Sequence, residues 1–262
     1  EKFGGVILKR YNGYLIDLDG TVYHGTEKID EAVTFVKELK QKDIPYLFLT
    51  NNSTKHPSKV AETLVSIDVP ATEEQVFTTS MATAKFISNK RPHAHVYPIG
   101  EEGLISAIKA SGLEIVEEDA DVVVMGLDRD ITYEKLAKGA LNIRNGASFV
   151  ATNGDVALPT ERGFLPGAGS LISVLSVTTG VEPTFIGKPE PIIVEQALEV
   201  LGTSKEETLM VGDNYHTDIL AGINADIDSL LVHTGVTTEE QLKEIDKQPT
   251  YTAESLAEWT LD

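Results

Sequence analysis

Short runs of apolar residues alternate along this chain with segments in which apolar positions recur every three or four residues. The run at 14–16 is typical of a buried strand, and a segment with helical periodicity follows it. We expect Asp30 to cap that helix, because aspartate is a preferred residue at helix N-termini. Four apolar residues of the segment recur at helical spacing and would share one buried face: Ala32, Phe35, Val36 and Leu39.

The same alternation continues through most of the chain and predicts an α/β protein with mainly parallel sheets. The predicted strands are apolar and lack strict alternation, which suits sheets that are covered on both faces. A helix is predicted at 132–145, between two of these strands. The other predicted strands cover residues 46–49, 95–99, 122–125, 148–151, 184–186, 209–211 and 229–232.

Residues 153–169 interrupt this pattern with a stretch that is rich in glycine and proline. Such a composition predicts a loop. Two interpretations of the loop stay open: a plain surface loop, or a mobile segment that faces a substrate. Domain boundaries are otherwise weakly marked, since the chain contains no linker rich in proline and serine.

The composition narrows the class of protein. The chain has 262 residues, no cysteine, and 41 acidic against 22 basic side chains, for a net charge of −19. This length fits one large domain or two moderate ones. Without cysteine the protein has no disulfide framework, no Cys-based zinc site and no cysteine nucleophile. Because phosphate backbones are bound by clustered Lys and Arg, this acidic chain is not expected to bind nucleic acid.

No apolar run reaches the roughly 20 residues that a membrane-spanning helix needs. Residues 1–5 lack the apolar region of a signal peptide. We therefore expect a cytoplasmic protein whose partner is neither a membrane nor a nucleic acid. The single tryptophan, Trp259, is expected to be a packing anchor rather than a platform for base stacking. An anionic substrate would be repelled by the net charge, so its site would need local positive charge.

A pair of carboxylates follows the first predicted strand, in the sequence Asp17-Leu18-Asp19-Gly20-Thr21. Open α/β sheets bind ligands at the carboxyl ends of their strands, and Asp17 and Asp19 can both reach one crevice there. Two carboxylates held together need a cation or a proton to offset their repulsion. Asp-Gly is also common in turns, so a purely structural role stays open. An EF-hand calcium loop is excluded, because its sixth and twelfth positions hold Val22 and Lys28.

The second predicted strand ends in the polar sequence Thr50-Asn51-Asn52-Ser53. Its hydroxyl, amide and backbone N–H groups suit the binding of a phosphate at a strand-to-helix turn. An alternative stays open, in which Asn52 or Ser53 simply caps the next helix.

Lys188 lies directly after another predicted strand, in the sequence Gly187-Lys188-Pro189. The segment is not a P-loop, because that motif requires other residues at the positions of Glu182 and Pro189. A lysine in a crevice is nevertheless a good point charge for a phosphate, whereas most lysines are simply solvated.

The last polar cluster, at 211–218, again lies where a predicted strand ends and a helix begins. Asp213 is a candidate ligand for a hard metal ion, which prefers oxygen donors. Asp218 could orient Asp213 from behind, or could simply favour the first turn of its helix.

Together these four clusters are far more specific than any one of them. Their order along the chain, Asp-x-Asp, Thr, Lys and Asp, resembles the four motifs of the haloacid dehalogenase (HAD) superfamily of phosphohydrolases. The chain is most similar to the NagD-like, 4-nitrophenyl-phosphatase-like subfamily with a type II cap, from about residue 14 to about residue 235. The matching segments are 49–53, 151–153, 166–170, 187–189 and 212–218.

The resemblance implies a Rossmann-like doubly wound parallel-sheet core, the HAD fold, into which an α/β cap domain is inserted. The core would comprise residues 1–79 and 183–262, and the cap residues 80–182. The family also allows a homodimer. A substrate-specificity loop of the cap would include Asn153, Gly154 and Asp155, although many relatives carry Pro or Arg at the position of Gly154. Other residues that could contact the substrate from the cap are Tyr133, Glu161 and Arg162.

The resemblance further implies roles for individual residues. Asp17 would be the nucleophile that forms an aspartyl-phosphate, and Asp19 would act as general acid and then as general base. A Mg²⁺ cofactor would bind Asp17, the carbonyl oxygen of Asp19, and Asp213. Asn214 and Asp218 would orient these ligands from behind. The phosphoryl group would be bound by Thr50, Asn51, Asn52 and Lys188.

The predicted function is a Mg²⁺-dependent phosphatase of small phosphorylated metabolites, such as sugar phosphates and nucleoside monophosphates, with 4-nitrophenyl phosphate as a substrate in vitro. Two alternatives stay open: a phosphotransferase or phosphomutase that uses the same intermediate, and a non-catalytic protein that binds a phosphate-bearing ligand. The second alternative, a non-catalytic binding protein, is disfavoured by the presence of Asp17, Asp19, Lys188 and Asp213. A protein that only binds a ligand needs no nucleophile beside an acid.

Overall fold

The computed structural model describes residues 2–3, 6–7 and 9–262 of the chain. Residues 1, 4 and 5, which belong to the stretch that lacks a signal-peptide pattern, lie outside the described residues. The division into a core and a cap at 80–182 stays a prediction. By their internal contacts the residues form two compact units: a first unit of Glu1–Thr50, Val60–Phe77 and Lys188–Asp262, and a second unit of Asn51–Lys59 and Thr78–Gly187.

Each strand that an apolar run predicts is present, with ends that differ from the prediction by one residue at most. Short strands outside these runs form small hairpins or extend the two larger sheets. In chain order the strands are β1 Lys2–Phe3, β2 Val6–Ile7, β3 Gly13–Ile16, β4 Tyr23–His24, β5 Glu27–Lys28, β6 Tyr46–Thr50, β7 Val76–Thr78, β8 His95–Ile99, β9 Glu114–Ile115, β10 Val122–Met125, β11 Ser148–Ala151, β12 Ala157–Thr160, β13 Gly163–Pro166, β14 Thr184–Phe185, β15 Thr208–Gly212, β16 Asp228–Val232 and β17 Tyr251–Ala253.

Helices lie between the strands, as the alternation of patterns predicts. The helix predicted at 132–145 begins one residue later, because the side chain of Thr132 caps it by accepting a hydrogen bond from the backbone N–H of Lys135. Among the described residues, no helix is both long enough and apolar enough to cross a membrane. The helices are α1 Asp30–Gln41, α2 Pro57–Ser66, α3 Thr79–Lys90, α4 Glu102–Ala110, α5 Tyr133–Arg144, α6 Ala168–Thr179, α7 Pro191–Leu201, α8 Leu220–Asn224 and α9 Glu239–Lys243.

Helix α1 differs from the prediction at its N-terminus. Asp30 is its first helical residue, Ile29 occupies the cap position, and no side chain caps the helix. The prediction that Asp30 is the cap is therefore wrong. Asp30 and Glu31 instead place negative charge in the first turn, where the helix dipole favours it. The predicted apolar face is buried, namely Ala32, Phe35, Val36 and Leu39.

The first unit is built on a six-stranded sheet in the order β17-β16-β15-β3-β6-β7. β3 lies at the centre and pairs in parallel with β6 on one side and β15 on the other. The chain runs outward from β3 through β6 to β7, and later returns to fill the other side from β15 to β17. The strand order therefore reverses beside β3, which is the point where open α/β sheets form a crevice at the carboxyl ends of their strands.

Burial explains why these strands form. All four residues of β3 and all five residues of β15 are buried, so both faces of the central strands are covered. One core cluster joins Tyr14 of β3 to Phe35 of α1 and to Trp259 near the C-terminus. The indole N–H of Trp259 donates a hydrogen bond to the hydroxyl of Tyr14 at 3.0 Å. This contact confirms Trp259 as a packing anchor.

The second unit contains its own five-stranded sheet, in the order β14-β11-β10-β8-β9. The pairings within it are parallel, with Val122 of β10 opposite both Val96 of β8 and Ser148 of β11. A separate core cluster buries residues of β8, β10 and β11 against α5 and α6. Each unit is thus an α/β layered structure, in agreement with the predicted fold class.

The stretch at 153–169 is only partly a loop, so the prediction of a loop over its whole length is wrong. β12 and β13 form an antiparallel hairpin in which Thr160 is opposite Gly163. Gly163 has a φ of 108°, which glycine adopts without the steric clash of a Cβ atom. The Thr160 hydroxyl closes the turn, because it donates to the carbonyl of Gly163 at 2.8 Å and accepts from the N–H of Arg162 at 3.1 Å. The glycine therefore marks a tight turn between two strands.

Candidate active site

Three buried carboxyl groups meet at the carboxyl ends of the central strands of the first unit. Asp17 follows β3, Asp213 follows β15, and Asp218 lies in the turn after Asp213. Each residue offers a carboxylate oxygen, and these oxygens all lie within 4.8 Å of one another. The side chain of Asp17 keeps 14% of its surface exposed, whereas Asp213 and Asp218 are almost fully buried. Solvent therefore reaches the cluster through Asp17.

Lys188 is a buried cation that contacts two of these carboxylates. Its Nζ atom lies 2.7 Å from Oδ1 of Asp17, 2.7 Å from Oδ1 of Asp218 and 3.1 Å from the carbonyl oxygen of Leu49. Only 2% of its side chain is exposed. Burial alone would lower the pKa of this amine, but Asp17 and Asp218 more than offset that effect and hold it above its ordinary value. Lys188 is therefore a permanently charged ammonium.

The carboxyl groups of the cluster resist ionisation. Burial raises the pKa of Asp17 to about 6, with Asp213 adding to the rise and Lys188 opposing it. Burial likewise raises the pKa of Asp218 to about 7, aided by Asp17 and opposed by Lys188. Burial also raises the pKa of Asp213, and the charge of Asp218 adds to the rise. One ammonium is thus too little charge for three carboxylates.

This imbalance tests whether the residues fit a metal ion. When the three carboxyl groups are ionised, the cluster carries two negative charges in excess of the ammonium of Lys188. The oxygens are close enough together for one ion to contact several of them. Hard divalent cations such as Mg²⁺ prefer carboxylate, carbonyl and water oxygens. The donor set therefore fits a hard divalent cation.

Asp213 is held on both sides by donors. Its Oδ1 accepts a hydrogen bond from the hydroxyl of Thr21 at 2.9 Å, and Thr21 also lies 3.3 Å from Oδ2 of Asp17. Its Oδ2 accepts from the backbone N–H of Val236 at 2.9 Å. The sequence reasoning assigned no role to Thr21 or Val236. A signal for Val236 was present, because polar residues also follow the strand β16, as they follow the other strands of the site.

Gly20 shows why the Asp-Gly step lies next to this cluster. Its φ is 86°, a left-handed conformation that favours glycine. A Cβ atom at this position would lie 2.2 Å from Oδ2 of Asp213, which is far closer than van der Waals contact allows. Asp19-Gly20 is therefore both a turn and a part of the carboxylate site, because the tight turn at Gly20 brings the backbone against Asp213.

Asp218 and Asn214 shape the turn that carries Asp213. Residues Tyr215–Ile219 form one π-helical turn, and α8 begins only at Leu220. Oδ2 of Asp218 accepts hydrogen bonds from the backbone N–H groups of Asp213 at 3.2 Å and Asn214 at 3.1 Å. Asp218 therefore lies behind Asp213, and it also lies in the first turn of the π-helical segment that precedes α8, so both interpretations of its role stay open.

Asp19 has a different environment from the buried cluster. It is exposed, and its Oδ1 lies 3.5 Å from the backbone N–H of Gly25. Its backbone forms an isolated bridge with Tyr23. Burial raises the pKa of the Tyr23 hydroxyl, and the negative charges of Asp19 and Asp17 raise it further. The Asp19 carboxylate is thus free to contact a group that enters from solvent.

The predicted phosphate-binding residues are divided between the two units. Thr50, at the end of β6, and Lys188 are buried residues of the first unit. Asn51 and Asn52 belong to the second unit. Oδ1 of Asn52 accepts hydrogen bonds from the N–H and the hydroxyl of Thr54, at 2.8 and 2.7 Å. Because α2 begins at Pro57, neither Asn52 nor Ser53 caps it, and that alternative is wrong.

Within the second unit, the predicted specificity loop contacts Asn51. The side-chain amide of Asn153 donates to the carbonyl of Asn51 at 2.8 Å, and its Oδ1 accepts from the N–H of Asp155 at 3.0 Å. The amide of Asn51 lies 3.4 Å from Oδ2 of Asp155. Gly154 is exposed between them. The other residues considered as cap contacts are exposed, namely Tyr133, Glu161 and Arg162.

Comparison with known proteins agrees with this fold. A family model described as haloacid dehalogenase-like hydrolase matches residues 14–114, and a second, HAD-hydrolase-like model matches residues 185–259. A 5'-nucleotidase YutF of Bacillus subtilis is 64% identical over 252 residues, which cover 96% of this chain and 98% of the relative. An acid sugar phosphatase of Staphylococcus saprophyticus is 51% identical over 252 residues, which cover 96% of this chain and 97% of the relative.

Solved structures give the same result. The structure of a double mutant of a thermostable NPPase from Geobacillus stearothermophilus is similar to this one, with a TM-score of 0.92 and 58% sequence identity. The match covers 97% of this chain and 100% of the NPPase chain. The chain belongs to the haloacid dehalogenase-like hydrolase family and, within it, to the NagD-like phosphatases. Its activity is that of a phosphoric monoester hydrolase.

Proposed function

We propose that this protein is a Mg²⁺-dependent phosphatase that hydrolyses small phosphomonoesters through a phosphorylated aspartate. One observation carries the proposal: the Asp17 carboxylate, paired with Lys188 at 2.7 Å, shares a buried cluster with Asp213 and stays partly open to solvent. A carboxylate nucleophile needs positive charge beside it, because a phosphate monoester is a dianion that repels an anion. Lys188 supplies one such charge, and the cluster fits a cation that supplies more.

Asp17 and Asp19 divide the hydrolysis into two displacements. In the first, an oxygen of Asp17 bonds to phosphorus while the ester P–O bond breaks, and Asp19 donates a proton to the departing alcohol. In the second, Asp19 accepts a proton from a water molecule whose oxygen bonds to phosphorus. The aspartyl P–O bond then breaks, and Asp17 and inorganic phosphate are released. The exposed position of Asp19 suits a group that must serve alcohols of different shapes.

The phosphoryl oxygens would be bound by Lys188, Thr50, Asn51 and Asn52. Lys188 would contact both the nucleophile and the transferred group, so that Asp17 approaches phosphorus in a fixed orientation. Thr50 ends β6 and would offer its hydroxyl, while the two asparagines would offer backbone N–H and amide groups. The place of Asn51 and Asn52 in the site stays a prediction.

Mg²⁺ would be held by Asp17, the carbonyl oxygen of Asp19, and Asp213. When bound, the ion neutralises charge on the phosphoryl oxygens during transfer. Asp218 and Asn214 would keep Asp213 in its orientation: Asp218 through its bonds to the backbone of residues 213 and 214, and Asn214 through its place in the same turn.

The second unit would act as a cap domain that selects the leaving group, in line with the predicted division at 80–182. Asn153, Gly154 and Asp155 would form its specificity loop. Two close relatives are named for different substrates, a 5'-nucleotidase and an acid sugar phosphatase. We therefore infer that nucleoside monophosphates and sugar phosphates are the substrate classes to compare. A cytoplasmic location and a homodimer stay predictions, and sedimentation of the purified protein tests the second.

Phosphate release from 4-nitrophenyl phosphate, with Mg²⁺ and with EDTA, tests the metal requirement. Acid quenching after brief exposure to ³²P-labelled substrate tests the intermediate: the wild-type protein should retain covalent label, and Asp17→Asn should retain none and show no turnover. Equal turnover in EDTA would overturn the metal assignment, and full activity of Asp17→Asn would overturn the nucleophile. Addition of a competing alcohol would reveal a phosphotransferase, because phosphate would then appear on the alcohol instead of in solution.

A further inference from the structure

We propose that residues 234–237, the segment Thr234-Gly235-Val236-Thr237 that follows β16, form a positioning segment for the metal ligand Asp213. Gly235 and Thr237 are its positioning residues. The inference rests on the proposed function, in which Asp213 binds Mg²⁺. It adds a fifth stretch of chain to the four that the motifs identify, and it assigns that stretch a measurable effect on metal affinity.

Two backbone N–H groups of the positioning segment bond to Asp213. The N–H of Val236 donates to Oδ2 of the Asp213 carboxylate at 2.9 Å. The N–H of the next residue, Thr237, donates to the carbonyl oxygen of Asp213 at 3.0 Å. The segment therefore fixes both the main chain and the side chain of Asp213, and a carboxylate bound in this way cannot rotate freely about its side-chain bonds.

The positioning segment also connects Asp213 to the turn that follows Asp17. The Thr234 hydroxyl donates to the carbonyl oxygen of Gly20 at 2.8 Å. From that same turn, Thr21 donates to Oδ1 of Asp213. Each oxygen of the Asp213 carboxylate thus accepts a hydrogen bond from this turn or from the segment. The remaining lone pairs have a defined direction before any ion arrives, which lowers the reorganisation needed to bind it.

The position of Gly235 leaves no room for a side chain. A Cβ atom at this position would lie 1.9 Å from Oδ2 of Asp213 and 2.5 Å from its Cγ. The φ of Gly235 is not in the left-handed region, so an alanine would not face the strain of a left-handed φ. Its methyl group would instead displace either the Asp213 carboxylate or the segment that donates to it.

Thr237 connects the positioning segment to the turn after Asp213. Its side chain is buried, and its Oγ1 accepts a hydrogen bond from the backbone N–H of Tyr215 at 2.9 Å. Its carbonyl oxygen lies 3.0 Å from Nδ1 of His233. Loss of the hydroxyl would leave the Tyr215 N–H buried without this partner, so the turn and the segment would separate.

The test measures metal binding directly, with Mn²⁺ as a paramagnetic probe that shares the oxygen preference of Mg²⁺. Electron paramagnetic resonance of free Mn²⁺ gives the dissociation constant without any turnover. We expect Gly235→Ala to weaken Mn²⁺ binding by about 10–100-fold, the usual effect of losing a partner that orients a metal ligand. Gly222→Ala is the matched control: a Cβ atom there meets its nearest neighbours at 3.5 Å, an ordinary contact, and its Mn²⁺ affinity should equal that of the wild type.

A second pair of variants keeps the test decisive if Gly235→Ala does not fold. Thr237→Val should weaken Mn²⁺ binding and raise the Mg²⁺ concentration needed for half-maximal turnover, and Thr237→Ser, which restores the hydroxyl, should recover both. Equal Mn²⁺ affinity in the wild type and in folded Gly235→Ala, or in the wild type and Thr237→Val, would overturn the inference. The same measurement distinguishes a failure of the proposed function. If Asp213 is not a metal ligand, Asp213→Asn will bind Mn²⁺ with the affinity of the wild type.

Discussion

The Nζ atom of Lys188 lies 2.7 Å from Oδ1 of Asp17, although 171 positions of sequence separate the two residues. The same ammonium contacts Asp218 at 2.7 Å and is almost entirely buried. Such a cation has two roles at once. It lowers the repulsion within a cluster of carboxylates, and it holds the Asp17 oxygen in one orientation.

The first prediction concerns the contribution of Lys188 to stability. Lys188→Met keeps the apolar stem but removes the charge, leaving buried carboxylates without their partner. In EDTA at pH 8 the free energy of unfolding should fall by about 3–5 kcal/mol, as measured by urea denaturation. The control is Lys42→Met, since Lys42 forms an exposed pair with Asp262 and should have no measurable effect. Equal stability of the two variants would contradict the prediction.

The second prediction concerns Asp19 as the acid that protonates the leaving group. Asp19→Asn should reduce kcat by about 10²–10⁴-fold for alkyl phosphates, because an alkoxide is a poor leaving group without a proton. The loss in the first displacement should be smaller for 4-nitrophenyl phosphate, whose phenolate leaves readily. Burst-phase kinetics separates the two displacements and checks this difference. An equal loss in the first displacement for both substrates would argue against the role.

The third prediction concerns the pH dependence of stability without metal. The pKa values of Asp17 and Asp218 are raised by burial to about 6 and about 7, above the value near 4 of an unfolded chain. Between about pH 4 and pH 7 the folded protein therefore holds protons that the unfolded chain has lost. These groups should lower the free energy of unfolding as the pH rises through that range.

Urea denaturation in EDTA at several pH values checks this dependence. Asp218→Asn lacks one of the two groups, so its stability should fall less steeply between pH 5 and pH 8 than that of the wild type. Saturating Mg²⁺ should reduce the fall in the wild type, because the ion binds the ionised carboxylates. A wild-type fall no steeper than that of Asp218→Asn would contradict the raised pKa of Asp218.

The fourth prediction concerns Trp259 as a packing anchor of the first unit. Its ring packs edge-on against Tyr251, with centroids 5.0 Å apart, and its N–H bonds to Tyr14. Trp259→Ala should lower the free energy of unfolding by about 3–5 kcal/mol, while kcat of the folded protein stays unchanged. Val65→Ala is the control, because Val65 is 56% exposed and should change stability by less than about 0.5 kcal/mol.

The fifth prediction concerns Asp155 in the proposed specificity loop. Asp155→Ala should change the ratio of kcat/KM between a nucleoside monophosphate and a sugar phosphate by about tenfold, the effect of one hydrogen bond to a leaving group. Glu118→Ala, a change at an exposed acidic residue of the second unit, should leave the ratio unchanged. A uniform loss for both substrates would show that Asp155 does not discriminate between them.

The order of strands and helices was predictable because it depends on local patterns. Apolar runs such as 122–125 coincide with β10 to the residue, since a run this short and rich in β-branched valine favours a strand buried on both faces over a buried helix. Helix ends were less predictable. Asp30 is a residue type that often caps helices, but here the cap position is one residue earlier, at Ile29. The sequence does not show at which residue the backbone changes from extended to helical dihedral angles.

The hairpin of β12 and β13 was missed for a related reason. Glycine and proline mark turns and loops alike, and only the pairing of Ala157 with Pro166 distinguishes a hairpin from a loop. That pairing depends on hydrogen bonds across the turn, such as the one from Thr160 to Gly163.

The sequence by itself determined which chemistry is available, because motif residues and their places at the ends of strands can be read one segment at a time. Only the tertiary structure decided how those residues are shared: that Lys188 serves both Asp17 and Asp218, and that Thr21 and Val236 hold the two oxygens of Asp213. These contacts join segments far apart in the chain. They form because β3 and β15 become neighbours in one parallel sheet and carry their loops to the same edge.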